Sequence, residues 1–320
     1  MTTAEILTGI RPVTMECFKV FAPYYEERAK HYVYPRYMQS VCAMLDMGKC
    51  FYKVITADHG KVLAVYKRTQ IFGKTGVQMP ISPISLTGSI RDELSVMLAA
   101  IKVGVSLRVT TEDIARYRIP HNVCSDGTGP FVPVNNEYIY NAQQGSAMQG
   151  SKYRKLRNLT KRITKADGYS LFYGAHPQAD SVVRDWAKRY KQAYDTQADQ
   201  TNLWHICKAA PEDFVTTRCI VIGDTLQCLS VLERLAPKHY IIVQRVRNYH
   251  SRQNDVGCAM QWVDCNAVTG RETTPIYLNM GLADTDGLIH AKEALQPCAH
   301  QKIYTVKTNK TSDKLKAYFK

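Results

Sequence analysis

The sequence has no run of apolar residues long enough to cross a membrane. A membrane-spanning helix needs about 18 or more consecutive apolar residues, and no such run occurs in the 320-residue chain. The opening segment, Met1–Glu5, also lacks the basic and apolar parts of a secretory signal peptide. These absences predict a cytoplasmic protein with no membrane partner, and nothing in the sequence points to a stable protein partner.

The cysteines lack the spacing of a metal site. None of the ten forms a Cys-x-x-Cys pair, and several lie inside apolar runs. Buried thiols in a reducing cytosol fit this usage better than a disulfide framework or a zinc site. We therefore expect no metal at Cys17, Cys42, Cys50, Cys124, Cys207, Cys219, Cys228, Cys258, Cys265 or Cys298.

Glycine and proline are too few for a low-complexity or fibrous chain. There are 18 glycines and 13 prolines, while 45% of the residues are apolar and 22% charged. This is the balance of an ordinary globular protein. The length suits one large domain or two of ordinary size.

Negative charge is scarce relative to positive charge, most of all in the second half. Lys and Arg number 42 against 28 Asp and Glu, a formal net charge of +14. Residues 1–150 hold 16 basic and 12 acidic residues, and residues 151–320 hold 26 and 16. An excess this large favours a nucleic acid, a phosphorylated substrate or an anionic membrane as partner over a merely soluble basic surface. The anion-facing surface is expected in the second half.

Strand and helix patterns alternate in the same order in both halves, which predicts an α/β fold with mixed sheets. The first half has a hairpin over Cys50–Thr56 and Lys61–Thr69 and a helix over Asp92–Lys102. The second has three strands within 214–245, a helix through Ala267, and then a strand, a helix and a strand up to Thr308. We predict two domains, 1–135 and 136–320, with a repeated core over about 40–118 and 170–308. Residues 119–135 are the candidate linker.

Tyrosines cluster between residues 24 and 37, close to several basic residues. Simple packing in the core is the first interpretation of this cluster. The alternative is a platform on which the bases of a single-stranded nucleic acid stack.

A run of seven basic residues without an acid begins the second half. Leu156, Leu159 and Ile163 recur within it at helical spacing, which predicts a helix with one buried stripe. Like charges at this density repel one another on a helix, and a docked polyanion would relieve that repulsion. A solvated basic face is an equally weighted alternative. The predicted nucleic-acid-binding residues are Lys152, Arg154, Lys155, Arg157, Lys161, Arg162 and Lys165.

An arginine-rich loop is expected between the third of these strands and the helix that follows, over Gln244–Asn254. Backbone amides at a helix N-terminus, together with the helix dipole, attract anions. Arg245, Arg247 and Arg252 add charge and bidentate donors, and no acidic residue occurs in this stretch before Asp255. The loop is therefore predicted to bind phosphate or pyrophosphate, with a flexible basic loop as the alternative.

Polar residues follow the next predicted strand. Asn279 is expected at the carboxyl end of that strand, which is where α/β proteins bind ligands. Asp284 and Asp286 come next, and Lys292 falls on the following helix. Helix caps and a surface lysine are the simpler interpretation of the last three.

These motifs resemble the last part of a GNAT-type acyltransferase fold, and more narrowly the Fem-type peptidoglycan transferases and the phosphatidylglycerol lysyltransferase group. The resemblance rests on Asn279–Gly281, on Gly287–Lys292 followed by Pro297, and upstream on Glu137–Tyr140 and Gly150–Asn158. It covers most of 137–308, with a weaker echo over 50–118. It implies two GNAT-like halves in tandem, each a mixed sheet flanked by helices, with the active cleft in the second.

The sequence departs from the acetyl-CoA-dependent members at two points. Ala291, not an aromatic residue, precedes Lys292, and the segment Arg245–Gly257 has no Gly-x-Gly or Gly-x-Ala signature. No cofactor is therefore expected, acetyl-CoA included.

The resemblance leaves three functions open. The first is the transfer of a free amino acid to a DNA base activated by a pyrophosphoryl-methyl group, similar to what is proposed for phage enzymes of thymine hypermodification, which would work in the host cytoplasm. The second is an aminoacyl-tRNA-dependent transferase acting on a peptidoglycan precursor or a lipid. The third is a GNAT-like nucleic-acid-binding protein without catalysis. DNA is favoured over tRNA as the partner.

In the DNA reaction the amine of the amino acid must lose a proton before it attacks, so a nearby carboxylate or a water relay is needed. Glu233 is the first candidate base, and Asp284 and Asp286 are the others. Asn279 and Lys292 are expected to line the same cleft. The basic helix would hold the nucleic-acid backbone.

Overall fold

The computed structural model describes residues 8–71, 74–119, 131–194, 200–251, 253, 255–270, 274–283 and 285–306. Two predicted site residues, Arg252 and Asp284, lie outside the described residues. The same is true of most of the predicted linker and of Asn254, the last residue of the predicted arginine-rich loop.

The chain divides into two compact units. The first unit comprises Met1–Glu137 and His300–Lys320, and the second comprises Tyr138–Ala299. The sequence placed the boundary at 135–136 and assigned the C-terminal segment to the second half. By its contacts, that segment groups with the first unit.

The elements up to the boundary alternate short helices with strands. They are β1 (Arg11–Pro12), α1 (Cys17–His31), α2 (Val41–Asp46), β2 (Cys50–Ala57), β3 (Gly60–Ile71), β4 (Lys74–Met79), β5 (Ile84–Ser85), α3 (Ile90–Lys102), β6 (Ser106–Thr110), α4 (Thr111–Arg116) and β7 (Phe131–Asn141).

The elements after the boundary repeat the order of strands and helices. They are α5 (Ala142–Ala147), α6 (Arg154–Thr164), β8 (Tyr169–Tyr173), α7 (Ala179–Tyr194), α8 (Gln200–Ala209), β9 (Val215–Ile222), β10 (Thr225–Ala236), β11 (His239–Arg247), α9 (Val256–Thr269), β12 (Tyr277–Leu282), α10 (Asp286–Ala294) and β13 (Ala299–Val306).

Each unit is built on the same βαβ crossover. In the first unit β2, β3 and β4 are antiparallel neighbours, helix α3 follows, and β6 then pairs parallel to β4. In the second unit β9, β10 and β11 are antiparallel neighbours, helix α9 follows, and β12 pairs parallel to β11. Strand β8 pairs with β9, and β13 pairs with β6. The predicted mixed sheet with flanking helices and a repeated GNAT-like core is therefore confirmed.

Local sequence explains where the helices begin and which face they bury. Ser89 caps α3 by accepting a hydrogen bond from the amide of Asp92, a typical N-cap contact. In α6, Leu156, Thr160 and Ile163 are buried. Thr160 takes the place expected for Leu159, which is half-buried, so the buried stripe is rotated slightly from the predicted one.

The tyrosine-rich segment belongs to the core of the first unit. Tyr24, Tyr25 and Tyr32 are buried, so packing is the right interpretation for these three. The Tyr32 hydroxyl donates to Asp113 over 2.9 Å, and the Arg28 guanidinium lies 3.5 Å from the centre of the Tyr32 ring.

Asp113 is the centre of a buried ionic cluster in the first unit. Its carboxylate lies 3.3 Å from Arg28 Nη2 and 3.7 Å from Arg36 Nη1, and it also accepts from the Ser82 hydroxyl and the Thr110 amide. Burial raises the pKa of Asp113, but the charges of the two arginines outweigh it and hold the pKa below the ordinary value. The carboxylate therefore stays ionised in the interior.

Candidate functional site

The two parallel strands of the second unit stop pairing partway along their length. The register joins His239 to Tyr277 and ends with Ile241 opposite Asn279, while β11 continues to Arg247 and β12 to Leu282. A register shift between β10 and β11 falls at the same level, because Val231 faces Gln244 but Leu232 faces Ile242. The extra residue on β11, Val243, bends this strand. The two strands therefore part beyond this level, which is the feature that the GNAT resemblance implies for an active cleft.

Two predicted catalytic residues lie in one row across the sheet at this level. Glu233 pairs with Ile241 on β11, and Ile241 pairs with Asn279 on β12. Glu233 is 1% exposed and Asn279 0%. Because paired residues share a face of the sheet, both side chains lie on the face away from α9. Strands two places apart are roughly 9–10 Å from each other, so one small substrate can span this row.

Asn279 also shapes the end of its own strand. Its Oδ1 atom accepts a 2.6 Å hydrogen bond from the amide of Gly281, a residue with φ of +72°. Glycine is suited to this left-handed backbone. The Asn279–Gly281 motif therefore fixes the turn of the backbone where β12 borders the cleft.

Lys292 binds the carboxyl end of β12. Its Nζ atom donates to the carbonyls of Met280, Gly281 and Leu282 over 2.7, 3.2 and 2.5 Å. The backbone carbonyl of Lys292 in turn accepts from the Tyr140 hydroxyl over 2.9 Å. This buried lysine ties α10 to β12, and its catalytic role stays a prediction.

Asp286 is exposed in the first turn of α10. Thr285 caps this helix by accepting from the amide of Leu288, and a carboxylate in the first turn complements the helix dipole. This placement matches the simpler interpretation, a helix-terminal acid.

Arg245 lies in strand β11, which continues two residues beyond the predicted strand end, to Arg247, and its side chain contacts helix α9. Its Nη2 atom is 2.6 Å from Asp264 Oδ2 and 2.8 Å from Gln261 Oε1. The Ser230 hydroxyl donates to the same carboxylate over 2.7 Å. The expectation that the charge of this arginine is uncompensated is wrong, because Asp264 neutralises it from the helix above.

Arg247 ends strand β11 beside an aromatic side chain. Its guanidinium carbon lies 5.1 Å from the centre of the Tyr249 ring, and that of Arg189, on α7, lies 5.2 Å from the same ring. Both distances allow a cation–π contact. Arg247 is thus a described member of the predicted pyrophosphate set, and it lies at the end of the strand beside Tyr249.

The helix that follows the cleft starts without an acid in its first turn. Val256 and Gly257 open α9, and the first-turn positions carry no carboxylate. The corresponding helix of the first unit, α3, has Asp92 and Glu93 there, which already occupy the positive end of the dipole. The first turn of α9 therefore leaves the positive end of the dipole without an acid of its own. The N-cap residue of α9 is nevertheless an acid, Asp255, and its carboxylate forms an ion pair with Arg162 of α6.

The basic run forms helix α6 and the turn before it. Six of its seven basic side chains are exposed, and Arg157 is half-buried. Arg157 donates to the carbonyls of Met148 and Gly150, two residues with positive φ. It therefore holds the preceding turn. The exposed members, named here the basic surface, are Lys152, Arg154, Lys155, Lys161, Arg162 and Lys165.

The thiols close to this site are unreactive by their environment. Burial raises the pKa of both Cys228 and Cys265 to about 12, against the opposing effect of Arg245. A neutral thiol is a poor nucleophile. In the part of the chain that the structure describes, no group of His, Cys, Asp or Glu is arranged to hold a metal ion, and no helix is long and apolar enough to cross a membrane.

Sequence reasoning missed the buried polar cluster beneath α9. Gln261 and Asp264 are one turn apart on a helix whose other buried residues, apart from Thr269, are apolar or cysteine. Two polar residues on the buried face of a helix are a signal of a buried hydrogen-bond network, but the sequence does not say which strand residue completes it.

No protein-family model matches the sequence, and no curated protein matches it. Solved structures do match. A conserved protein of unknown function from Bacteroides thetaiotaomicron has a TM-score of 0.71 at 13% identity, over 93% of this chain and 98% of that one. The C-terminal domain of a putative lysylphosphatidylglycerol synthetase from Agrobacterium fabrum has a TM-score of 0.60 at 10% identity, over 94% and 95%. FemX has a TM-score of 0.58 at 9% identity, over 96% and 99%.

Identities this low show the fold alone. The similarity spans nearly the whole of each chain, so it includes both units rather than a single one. The resemblance to the Fem-type and lysyltransferase group, first seen in short motifs, is therefore confirmed at the level of the fold.

Proposed function

We propose that this chain is a GNAT-fold transferase that moves an amino acid or aminoacyl group in the cleft between β11 and β12. The observation that carries the proposal is the parting of two parallel strands beside a row that holds Glu233 and Asn279 in the sheet interior. Glu233 lies at the level where the two strands part, and this position supports a role for its carboxylate in the reaction.

In this proposal Glu233 takes the proton from the attacking amine. A positioned general base contributes typically 10²- to 10⁴-fold to a rate. Asn279 and Lys292 shape the β12 side of the cleft through their bonds to the backbone of residues 280–282. The N-terminus of α9 and Arg247 take the anionic part of the donor or leaving group.

The basic surface would hold the nucleic acid that carries the substrate. Helix α6 packs against α9, with Ile163 in one apolar cluster with Val256 and Met260. The ion pair of Arg162 with Asp255 brings the basic surface to the start of α9. A polyanion on α6 would therefore lie next to the proposed anion site, which supports a nucleic-acid-bound substrate over a free one.

Two nucleic acids fit this arrangement. In the DNA reaction, the amine of a free amino acid displaces pyrophosphate from the activated methylene carbon of a base, and the leaving group goes to the N-terminus of α9. In the tRNA reaction, the ester that joins the aminoacyl group to the tRNA breaks, the aminoacyl group passes to a nucleophile of a peptidoglycan precursor or a lipid, and the tRNA leaves with its free hydroxyl group. The engagement of Arg245 by Asp264 removes one of the three arginines expected to bind pyrophosphate, which weakens the earlier preference for DNA. Two of the similar structures are the C-terminal domain of a putative lysylphosphatidylglycerol synthetase and FemX, and this similarity supports the second reaction.

The test is a two-arm transfer assay with a labelled amino acid. One arm supplies DNA with pyrophosphoryl-methyl bases and a set of free amino acids, read by mass spectrometry of the nucleosides. The other supplies labelled aminoacyl-tRNA with peptidoglycan-precursor and aminolipid acceptors. A product in either arm supports the transferase, and the arm in which it forms identifies the nucleic acid that carries the substrate. Tight nucleic-acid binding without a product in both arms would instead indicate a non-catalytic binding protein.

A further inference from the structure

A second cavity, of about 420 Å³, opens in the second unit where strand β9 begins. Its floor is formed by Val215–Arg218, and one wall by Tyr173–Ala175 at the end of β8. The other wall comes from the end of α8, including Lys208, and from Glu212 in the turn that follows. A volume of this order is typical of small-molecule sites. The cavity is built from β8, β9 and α8 and not from the strands that border the proposed active cleft.

Arg218 is the unusual residue of this cavity. Its Nε and Nη1 atoms are buried and have no hydrogen-bond partner among the described residues. Nor does any carboxylate in the described part of the chain lie within 4 Å of this guanidinium, whereas Lys208 is paired, with Nζ 3.0 Å from each oxygen of Asp180. Arg218 is half-buried, and leaving two buried N–H groups of a cation without a partner is costly, so an anion is expected beside it.

The sheet itself offers an internal comparison. Ser230 faces Arg218 on one side and Arg245 on the other, so the three side chains share a face. Arg245 has Asp264 at 2.6 Å. Arg218, two strands away, has no such acid in the described residues, and it is the one that lines a cavity. The Nε and Nη1 atoms of Arg245 are also without a hydrogen-bond partner, so the difference between the two arginines is the carboxylate on Arg245 Nη2, which Arg218 lacks among the described residues.

The cavity also carries a group of opposite charge. Glu212 is exposed and lines it, and it takes part in no ion pair within the described residues. Tyr173 and Thr217 add hydroxyl groups. A cation and an anion on one small cavity match a ligand that has both a carboxylate and an ammonium group.

We propose that this cavity binds a free α-amino acid, with its carboxylate on Arg218 and its ammonium group towards Glu212. The choice of an amino acid rests on the proposed function, which requires such a substrate. The need for an anion at Arg218 does not rest on it.

The test is calorimetric titration of the full chain with glycine, L-serine, L-lysine and L-glutamate. Three probes serve as controls: glycinamide, which lacks the carboxylate, acetate, which lacks the amine, and inorganic phosphate. At least one amino acid is expected to bind, and glycinamide and acetate are each expected to bind roughly 10-fold more weakly or worse. Arg218→Gln should weaken amino-acid binding roughly 10- to 100-fold, because it removes a charge-assisted, bidentate contact.

Two further variants keep the test decisive. Glu212→Gln, at an exposed position that the fold does not need, should weaken amino acids but not acetate. Arg234→Gln removes an exposed arginine from the neighbouring strand β10 and should leave binding unchanged. If acetate or phosphate binds as well as every amino acid, the cavity is a plain oxyanion site and the proposal is wrong. It is equally wrong if no amino acid binds to the wild-type protein.

The result is separable from that of the transfer assay. Amino-acid binding that depends on Arg218, without transfer in either arm, would support the cavity and reject the transferase. Transfer without any amino-acid binding to the cavity would support the transferase and reject the cavity as an amino-acid site.

Discussion

Asp264 accepts the Arg245 guanidinium over 2.6 Å from the buried face of helix α9. The two residues are 19 positions apart and join the helix that follows the cleft to the strand that borders it. Asp264 is fully buried, and the Arg245 side chain is 11% exposed. The pair therefore holds the wall of the proposed active cleft and is not available to a substrate.

Removing one partner of this pair should be costly. Asp264→Asn leaves a buried guanidinium without its counter-charge, and such losses are typically about 3–5 kcal/mol of unfolding free energy. Urea unfolding measures this loss of unfolding free energy, and Arg234→Gln, at an exposed position, is the control. The double replacement Arg245→Met with Asp264→Leu should be less destabilising than the single one. A loss below about 1 kcal/mol for Asp264→Asn would mean that the pair is not a structural element.

The ionic cluster around Asp113 predicts a pH dependence of stability. The folded-state pKa of Asp113 is lowered, so its contribution is present above the ordinary value of the unfolded chain, near 3.8, and is lost as pH falls through the folded pKa. The gap in unfolding free energy between wild type and Asp113→Asn should be constant from pH 5 to 7 and shrink below about pH 4. A gap that does not change down to pH 3 would contradict the lowered pKa.

The basic surface should dominate nucleic-acid affinity. Replacing Lys155, Lys161 and Lys165 together by Gln should lower the slope of log affinity against log salt by up to about 2.7 for duplex DNA. Arg157 is left in place because it holds the turn before α6. The matched control replaces Lys19, Lys49 and Lys102, three exposed lysines of the first unit. Equal slopes for the two triple variants would identify α6 as a solvated face.

Lys292 should prove structural. Its ammonium group holds three backbone carbonyls at the end of β12, so Lys292→Met should cost about 2 kcal/mol or more of unfolding free energy. Thermal and urea unfolding would detect this. If transfer falls in a Lys292→Met protein whose stability equals that of the wild type, the lysine acts in catalysis after all.

The buried thiols predict selective alkylation. Cys228 and Cys265 are buried with pKa values raised to about 12, while Cys298 is exposed. Iodoacetamide at pH 8 should modify Cys298 and spare the other two in the native protein, as seen by peptide mass spectrometry. Modification of all three at similar rates would show that the second unit opens readily.

The repeated fold was predictable because its signals are local. Alternating strands and the helical spacing in 92–102 are set by neighbours in sequence, and the structure has the helix at Ile90–Lys102. The place of Arg245 was not predictable in this way. The sequence Gln244–Arg247 looks like a polar loop, but it is a strand whose charged side chains alternate with buried ones. Its partner, Asp264, is brought to it only by the packing of α9.

The candidate site was predictable to a similar extent. Glu233 and Asn279 were chosen for their chemistry and their positions near strand ends, and the register puts them in one row. The cavity at Arg218 left no trace in the sequence, because its walls come from segments more than 30 residues apart.

The most direct test of the account is single-turnover transfer by Glu233→Gln protein, with whichever nucleic acid gives product in the two-arm assay. Asp286→Asn, at an exposed candidate base, is the matched control, and unfolding curves confirm that both variants are folded. The account predicts a rate lowered about 10²- to 10⁴-fold for Glu233→Gln and a rate near that of the wild type for Asp286→Asn. A folded Glu233→Gln protein that transfers at the wild-type rate would contradict it.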